Sequence, residues 1–91
     1  MAHIKSSKDK LLGRVRRISG QLAAIEKAID GEAGCSAILH QVAGVRGAVN
    51  GLMDGLIEDH IREHVARPDL SDEARSSGAE ELIEALRFYA K

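Results

Sequence analysis

The sequence predicts an all-α protein: a three-helix protomer with a long second helix. Apolar residues recur at alternating steps of four and three, at Leu11, Val15, Ile18, Leu22, Ile25 and Ile29, and again at Cys35, Ile38, Val42, Val45, Val49, Leu52 and Leu56. That is the heptad spacing of a helix with one apolar seam. No stretch alternates with the two-residue period of a strand. The punctuation is sparse and well placed, with "DGEAG" at residues 30–34 after the first seam and Pro68 after the second.

The first helix is expected over about residues 6–30, where the two glycines of "DGEAG" break it. The second runs over about 35–66, its seam continuing through His60 toward His64 until Pro68 stops it. About 30 residues at ~1.5 Å each make it on the order of 45 Å long. After Pro68, "DLSDEARSS" is polar and reads as a loop or a frayed turn. "SGAE", Ser77 to Glu80, fits a capping box that opens a third helix over about 77–90, with Leu82, Ile83, Leu86 and Tyr89 on its apolar face.

The 91 residues make one domain, 1–91, too small to cover two long seams internally. The second helix also places Gly47, Gly51 and Gly55 at steps of four, with small residues at Gly44 and Ala48. Each helical glycine costs roughly 1 kcal/mol against alanine, so the pattern asks for a close helix–helix crossing near Ala48. A single cysteine, Cys35, allows no intrachain disulfide and suits a reducing cytosol. Without an apolar leader or a run of 18 apolar residues, the expected location is the cytoplasm, with no membrane partner.

The formal net charge of −1 hides a segregation. Residues 1–20 hold six bases (Lys5, Lys8, Lys10, Arg14, Arg16, Arg17) against Asp9, a net of +5, whereas residues 54–91 hold ten acids against five bases, a net of −5. A basic arm on an acidic body fits a polyanion contact, and equally a solvated helix face. Phe88 and Tyr89 are the only ring-bearing aromatics besides histidine, and there is no Trp, which disfavours single-stranded nucleic acid with its need for stacking platforms. Duplex phosphates need only the cations.

His60 and His64, four apart, share a helix face and can offer two imidazoles to one ion. The pair alone equally fits two solvated histidines. "HIREH" also matches the inverzincin pattern, with Glu63 as general base, but a chain this small offers neither a substrate cleft nor a third ligand, so a peptidase is rejected. Cys35 lies on the same seam, 25 residues before His60, or about 37 Å of helix. One protomer cannot join them. Two copies of the helix paired antiparallel about residue 48 would set Cys35 of one against His60 and His64 of the other, at the same midpoint as the small-residue patch. A thiolate with two imidazoles suits Ni, Co, Zn or Cu rather than Mg or Ca. With Met1 removed, the Ala2 amine and the His3 amide and imidazole could chelate together as a further donor set. His40 lies off the seam and reads as a surface or DNA-side histidine.

"RVRRISGQL" (14–22), "CSAILHQVAGVRGAVNGLM" (35–53) and "HIREH" (60–64), in this order and spacing, resemble the CsoR/RcnR family of small bacterial DNA-binding repressors across nearly the whole chain. The resemblance implies an antiparallel dimer bundle, a dimer-of-dimers homotetramer without a helix-turn-helix, and repression of operator DNA by the free protein, relieved by an inducer. By position, Cys35 matches the family's thiolate ligand, and His60 and His64 the ligands from the partner chain. The nickel/cobalt branch (RcnR, DmeR) has histidines matching His3, His60 and His64 together with the N-terminal amine, which implies Ni(II) or Co(II) as inducer and derepression of a metal efflux gene, with Zn(II) a lesser candidate. The copper branch has Cys where this chain has His64, which disfavours Cu(I). The formaldehyde branch (FrmR) pairs an N-terminal Pro amine with the cysteine and lacks the second histidine; here residue 2 is Ala. Gly34 stands where some relatives place an acid. For double-stranded operator DNA the residues to test are Arg14, Arg16, Arg17 and Arg46, then Lys10, through phosphate contacts and shape readout.

Overall fold

A computed structural model describes residues 7–89, and these form three helices in the order α1 (Lys8–Asp30), α2 (Cys35–His64) and α3 (Asp72–Tyr89), with no strand among them. They make two compact units. One spans Asp9–Asp54 and holds nearly all of α1 with the first two thirds of α2; the other holds Ser7, Lys8 and residues 55–89.

In the first unit, α1 ends in a Schellman motif. The Ala33 N–H donates to the Ala28 carbonyl (2.9 Å) and the Glu32 N–H to that of Ile29 (3.1 Å). The left-handed residue such a cap requires is Glu32 (φ 58°), rather than either glycine of "DGEAG". A residue with a Cβ is strained there by on the order of 1–2 kcal/mol. Glu32→Gly is therefore expected to stabilise the protein by on the order of 1 kcal/mol, read as a raised thermal midpoint at fixed protein concentration.

The seams of this unit are only half used. Leu11, Ile18 and Ile25 of α1 and Ile38, Val45 and Leu52 of α2 are buried or half-buried. Their seam companions point outward: Val15, Leu22 and Ile29 are 42, 52 and 58% exposed, and Val42 and Val49 are 48 and 42% exposed. The inner face of α1 instead continues through Arg14, Gln21 and Ala28. Within the chain, the α2 glycines accommodate polar α1 side chains: a Cβ on Gly51 would lie 3.0 Å from the Arg14 guanidinium, and one on Gly44 3.9 Å from the Gln21 amide. A Cβ on Gly47 would meet nothing within 4 Å.

In the second unit, α2 closes at His64, two residues before the expected end, with the Val65 and Ala66 N–H groups both donating to the Ile61 carbonyl. The third helix corrects the sequence expectation by five residues. Ser71, not Ser77, is its cap: the Ala74 N–H donates to Ser71 Oγ (3.1 Å), and Asp72 and Glu73 supply negative charge to the first turn. Ser77 stands inside the helix. Two serine-led frames compete in "SDEARSSGAE", and the first wins because it also starts the helix early enough for Arg75 to donate to the Val65 and Leu70 carbonyls, which sit just beyond the end of α2.

Exposed ion pairs lie near that end. Arg62 bonds Glu58 (2.8 Å), while Arg67 reaches Asp69 (2.8 Å) and Glu63 (3.5 Å). The hydrogen bond from Arg67 lowers the Asp69 carboxyl from its ordinary range, and the same bond raises Arg67. Such solvent-screened pairs contribute little to stability, and what the Asp69 pair contributes is lost as pH falls through the depressed carboxyl pKa.

Candidate metal centre

The two histidines meet as their spacing requires. His60 and His64 stand on successive turns at the end of α2, both half-buried, with ring centroids 5.0 Å apart and planes tilted by 36°. His60 Nε2 lies 2.7 Å from the Gly78 carbonyl oxygen. A carbonyl only accepts, so in this contact Nε2 carries a proton. The bond also fixes the ring's orientation against α3.

Gly78 is buried, and a Cβ there would collide with the His64 carbonyl oxygen and lie 2.9 Å from the His64 carbonyl carbon and Cβ. The second unit thus builds the histidine pair from both sides: α2 supplies the rings, and α3 supplies a backbone acceptor that only a glycine lets come so close. Glu63, rejected above as a catalytic base, faces Arg67 on the helix surface.

Cys35 opens α2 in the first unit, with its thiol exposed. Among the described residues no three histidine, cysteine or carboxylate side chains come together as a metal site. The thiol and the imidazole pair thus stand at the two ends of one helix. His3 and the Ala2 amine lie outside the described residues. Of the cationic candidates, Lys10, Arg16, Arg17 and Arg46 are exposed, whereas Arg14 is half-buried beside Gly51. His40 is exposed, with Nδ1 2.9 Å from the Ser36 carbonyl of its own helix.

The family model described as metal-sensitive transcriptional repressor matches residues 7–88. The chain belongs to this family. It is 48% identical over its full length, and that of the relative, to a Serratia marcescens protein described by its place in the bioA 5′ region. It is 40% identical, again over the whole of both chains, to the transcriptional repressor RcnR of Citrobacter koseri. Among solved structures it resembles a Glu-to-His variant of the formaldehyde-responsive regulator FrmR from Salmonella enterica serovar Typhimurium, at 40% identity and a TM-score of 0.86, over 93% of this chain and 96% of that one. As a member of a repressor family the protein is a regulator and not an enzyme. No helix among its described residues is long and apolar enough to cross a membrane.

For such a repressor, sequence reasoning overlooked Gly78 and Asp59. Gly78 was hidden inside the "SGAE" capping frame. Asp59 is 7% exposed and accepts a hydrogen bond from Ser7 Oγ at 2.9 Å. One signal could have found it: strict alternation of steps of three and four carries the seam from Leu56 to Asp59 rather than to His60, the continuation read above.

Proposed function

We propose that this repressor holds operator DNA in its metal-free form and releases it on binding Ni(II) or Co(II), so derepressing a metal efflux gene. The observation that carries the reading is the pair of imidazoles on successive turns, 5.0 Å between centroids, with an exposed thiol at the other end of the same helix. Two nitrogens and one thiolate form a borderline donor set, to which the Ala2 amine and His3 would add further nitrogen donors. Zn(II) is compatible with such a set, and Cu(I) is disfavoured because His64 stands where the copper branch has a thiolate.

The inducer supplies only a coordination preference. The protein's part is to link ligation to DNA contact. Because the arm bearing the Ala2 amine and His3 also bears Lys5 and continues into Lys8 and Lys10, drawing it onto the histidines withdraws cations from phosphates. By linkage, an inducer that weakens DNA affinity is weakened by DNA to the same factor, typically about 1–3 kcal/mol. On the DNA side, Lys10, Arg14, Arg16, Arg17 and Arg46 make phosphate contacts, so operator affinity is expected to fall steeply between low and physiological salt, with log K linear in log salt concentration. Replacing Arg16 by alanine should flatten that slope by about one unit. Nearly salt-independent binding would remove the phosphate-contact model.

A second copy completes the assembly. The outward stripe of Val15, Leu22, Ile29, Val42 and Val49 supports an antiparallel dimer, and two dimers make the tetramer. The test is an operator-release titration with Ni(II), Co(II), Zn(II), Cu(I) and formaldehyde in parallel, with Ni(II) or Co(II) expected to release DNA at stoichiometric levels. A second reading, an aldehyde-responsive repressor of a detoxification operon using Cys35 and the Ala2 amine, is supported by the likeness to FrmR. Release by formaldehyde and not by either metal would establish that reading instead.

A further inference from the structure

Arg14 is the charged residue on the inner face of α1, between Leu11 and Ile18. It is half-buried, and its guanidinium lies where a side chain at position 51 would stand: a Cβ on Gly51 would be 3.0 Å from Nη1 and 4.0 Å from Cζ. Both residues belong to the Asp9–Asp54 unit, so α1 and α2 of one protomer build this seat.

What the seated guanidinium lacks is an anion. Among the described residues Arg62 and Arg67 hold ion pairs and Arg75 donates to two carbonyls, whereas no such partner is found for Arg14. On its own helix Lys10 and Arg17 stand four before and three after it, which puts three cations on one strip with no acid between them. Like charges at that spacing repel, so the strip is costly alone and is stabilised by an anion from outside. Lys10 and Arg17 are exposed and must give up rotamer freedom to hold one. Arg14 has given up part of that freedom already, and a planar fork held in place is suited to a phosphate. Gly51 provides the seat at the expense of helix propensity, and alanine there would displace the tip of Arg14 rather than either helix backbone.

We infer that Gly51 is a positioning residue for operator binding: by lacking a side chain it seats the Arg14 guanidinium at a fixed point, from which Arg14 takes a phosphate of the duplex. This rests on the phosphate-contact reading above. Gly51 acts through Arg14 and needs no contact with DNA of its own.

The test is binding of the metal-free full-length protein to a duplex carrying its own promoter, over a series of salt concentrations, in the wild type, Gly51→Ala, Arg14→Ala and the double variant. Gly51→Ala is expected to raise the thermal midpoint, through helix propensity, and yet to weaken binding about tenfold, the effect of spoiling one charged hydrogen bond. Its salt slope should match that of the wild type, because every cation is kept. Arg14→Ala should weaken binding at least as much and flatten the slope by about one unit for each Arg14 in contact. The double variant should bind no more weakly than Arg14→Ala alone, because both changes spoil the same contact. A Gly51→Ala protein with wild-type affinity, or losses from Gly51→Ala and Arg14→Ala that add in full, overturns the positioning role; full addition would mean that Gly51 serves the approach of another helix instead. Wild-type affinity in Arg14→Ala overturns it as well, and leaves the phosphate reading standing on the other cations. A wild type that does not bind the duplex overturns both.

Discussion

Gly78→Ala is expected to destabilise the protein by about 1–3 kcal/mol and to weaken inducer binding at the same time. In an ordinary exposed helix position the same exchange would stabilise by roughly 1 kcal/mol, through propensity alone. Here the added methyl collides with the His64 carbonyl oxygen and lies 2.9 Å from two further His64 atoms. The carbonyl belongs to the last turn of α2 and cannot rotate away as a side-chain tip would, so α3 must move. Moving α3 takes the Gly78 carbonyl off His60 Nε2, 2.7 Å away, and frees the ring's orientation. Urea denaturation at fixed protein concentration measures the first effect, and Co(II) titration the second. Gly13→Ala is the control, since a Cβ there meets nothing within 4 Å, and it should be neutral or stabilising. A Gly78→Ala protein as stable as the wild type would mean that α3 does not press on His64 in solution.

The same residue marks where the sequence stops being informative. Heptad spacing located α1 and α2 because every turn repeats the signal, and it brought His60 and His64 onto one face because four residues make about one turn. It did not divide the seam: that Leu11 and Ile18 turn inward while Val15 and Leu22 turn outward depends on how two helices pack, which a single-helix period leaves open. The start of α3 was misplaced because Ser71 and Ser77 both fit a cap, and the deciding partner is Arg75 reaching back to the Val65 and Leu70 carbonyls. The left-handed cap residue proved to be Glu32, although two glycines flank it closely. Gly78 and Asp59 matter through tertiary neighbours, His64 and Ser7, that lie 14 and 52 residues away in sequence. Local pattern has no access to such pairs.

Cys35→Ala and His60→Ala are each expected to lose more inducer affinity than the roughly 10–100-fold that removing a mere supporting group costs, and yet to restore each other when combined. The two donor sets occupy opposite ends of one helix, and no three potential ligands converge among the described residues of one protomer. In the proposed antiparallel pair, Cys35 of one copy would serve the histidines of the other. A mixed dimer of the two variants then has one site lacking both donors and one site lacking neither. If subunits unfolded together and refolded at equal amounts pair at random, half of the dimers are mixed, and about a quarter of the wild-type sites return with wild-type affinity and the thiolate-to-cobalt band. Equal amounts of the variants folded separately and never exchanged should recover none. Recovery near a quarter cannot arise from a site held within one chain, where every protomer stays defective. No recovery after exchange, with each variant still folded and dimeric, would place the thiol and the histidines in separate sites. Wild-type affinity in either variant alone would remove that residue from the ligand set.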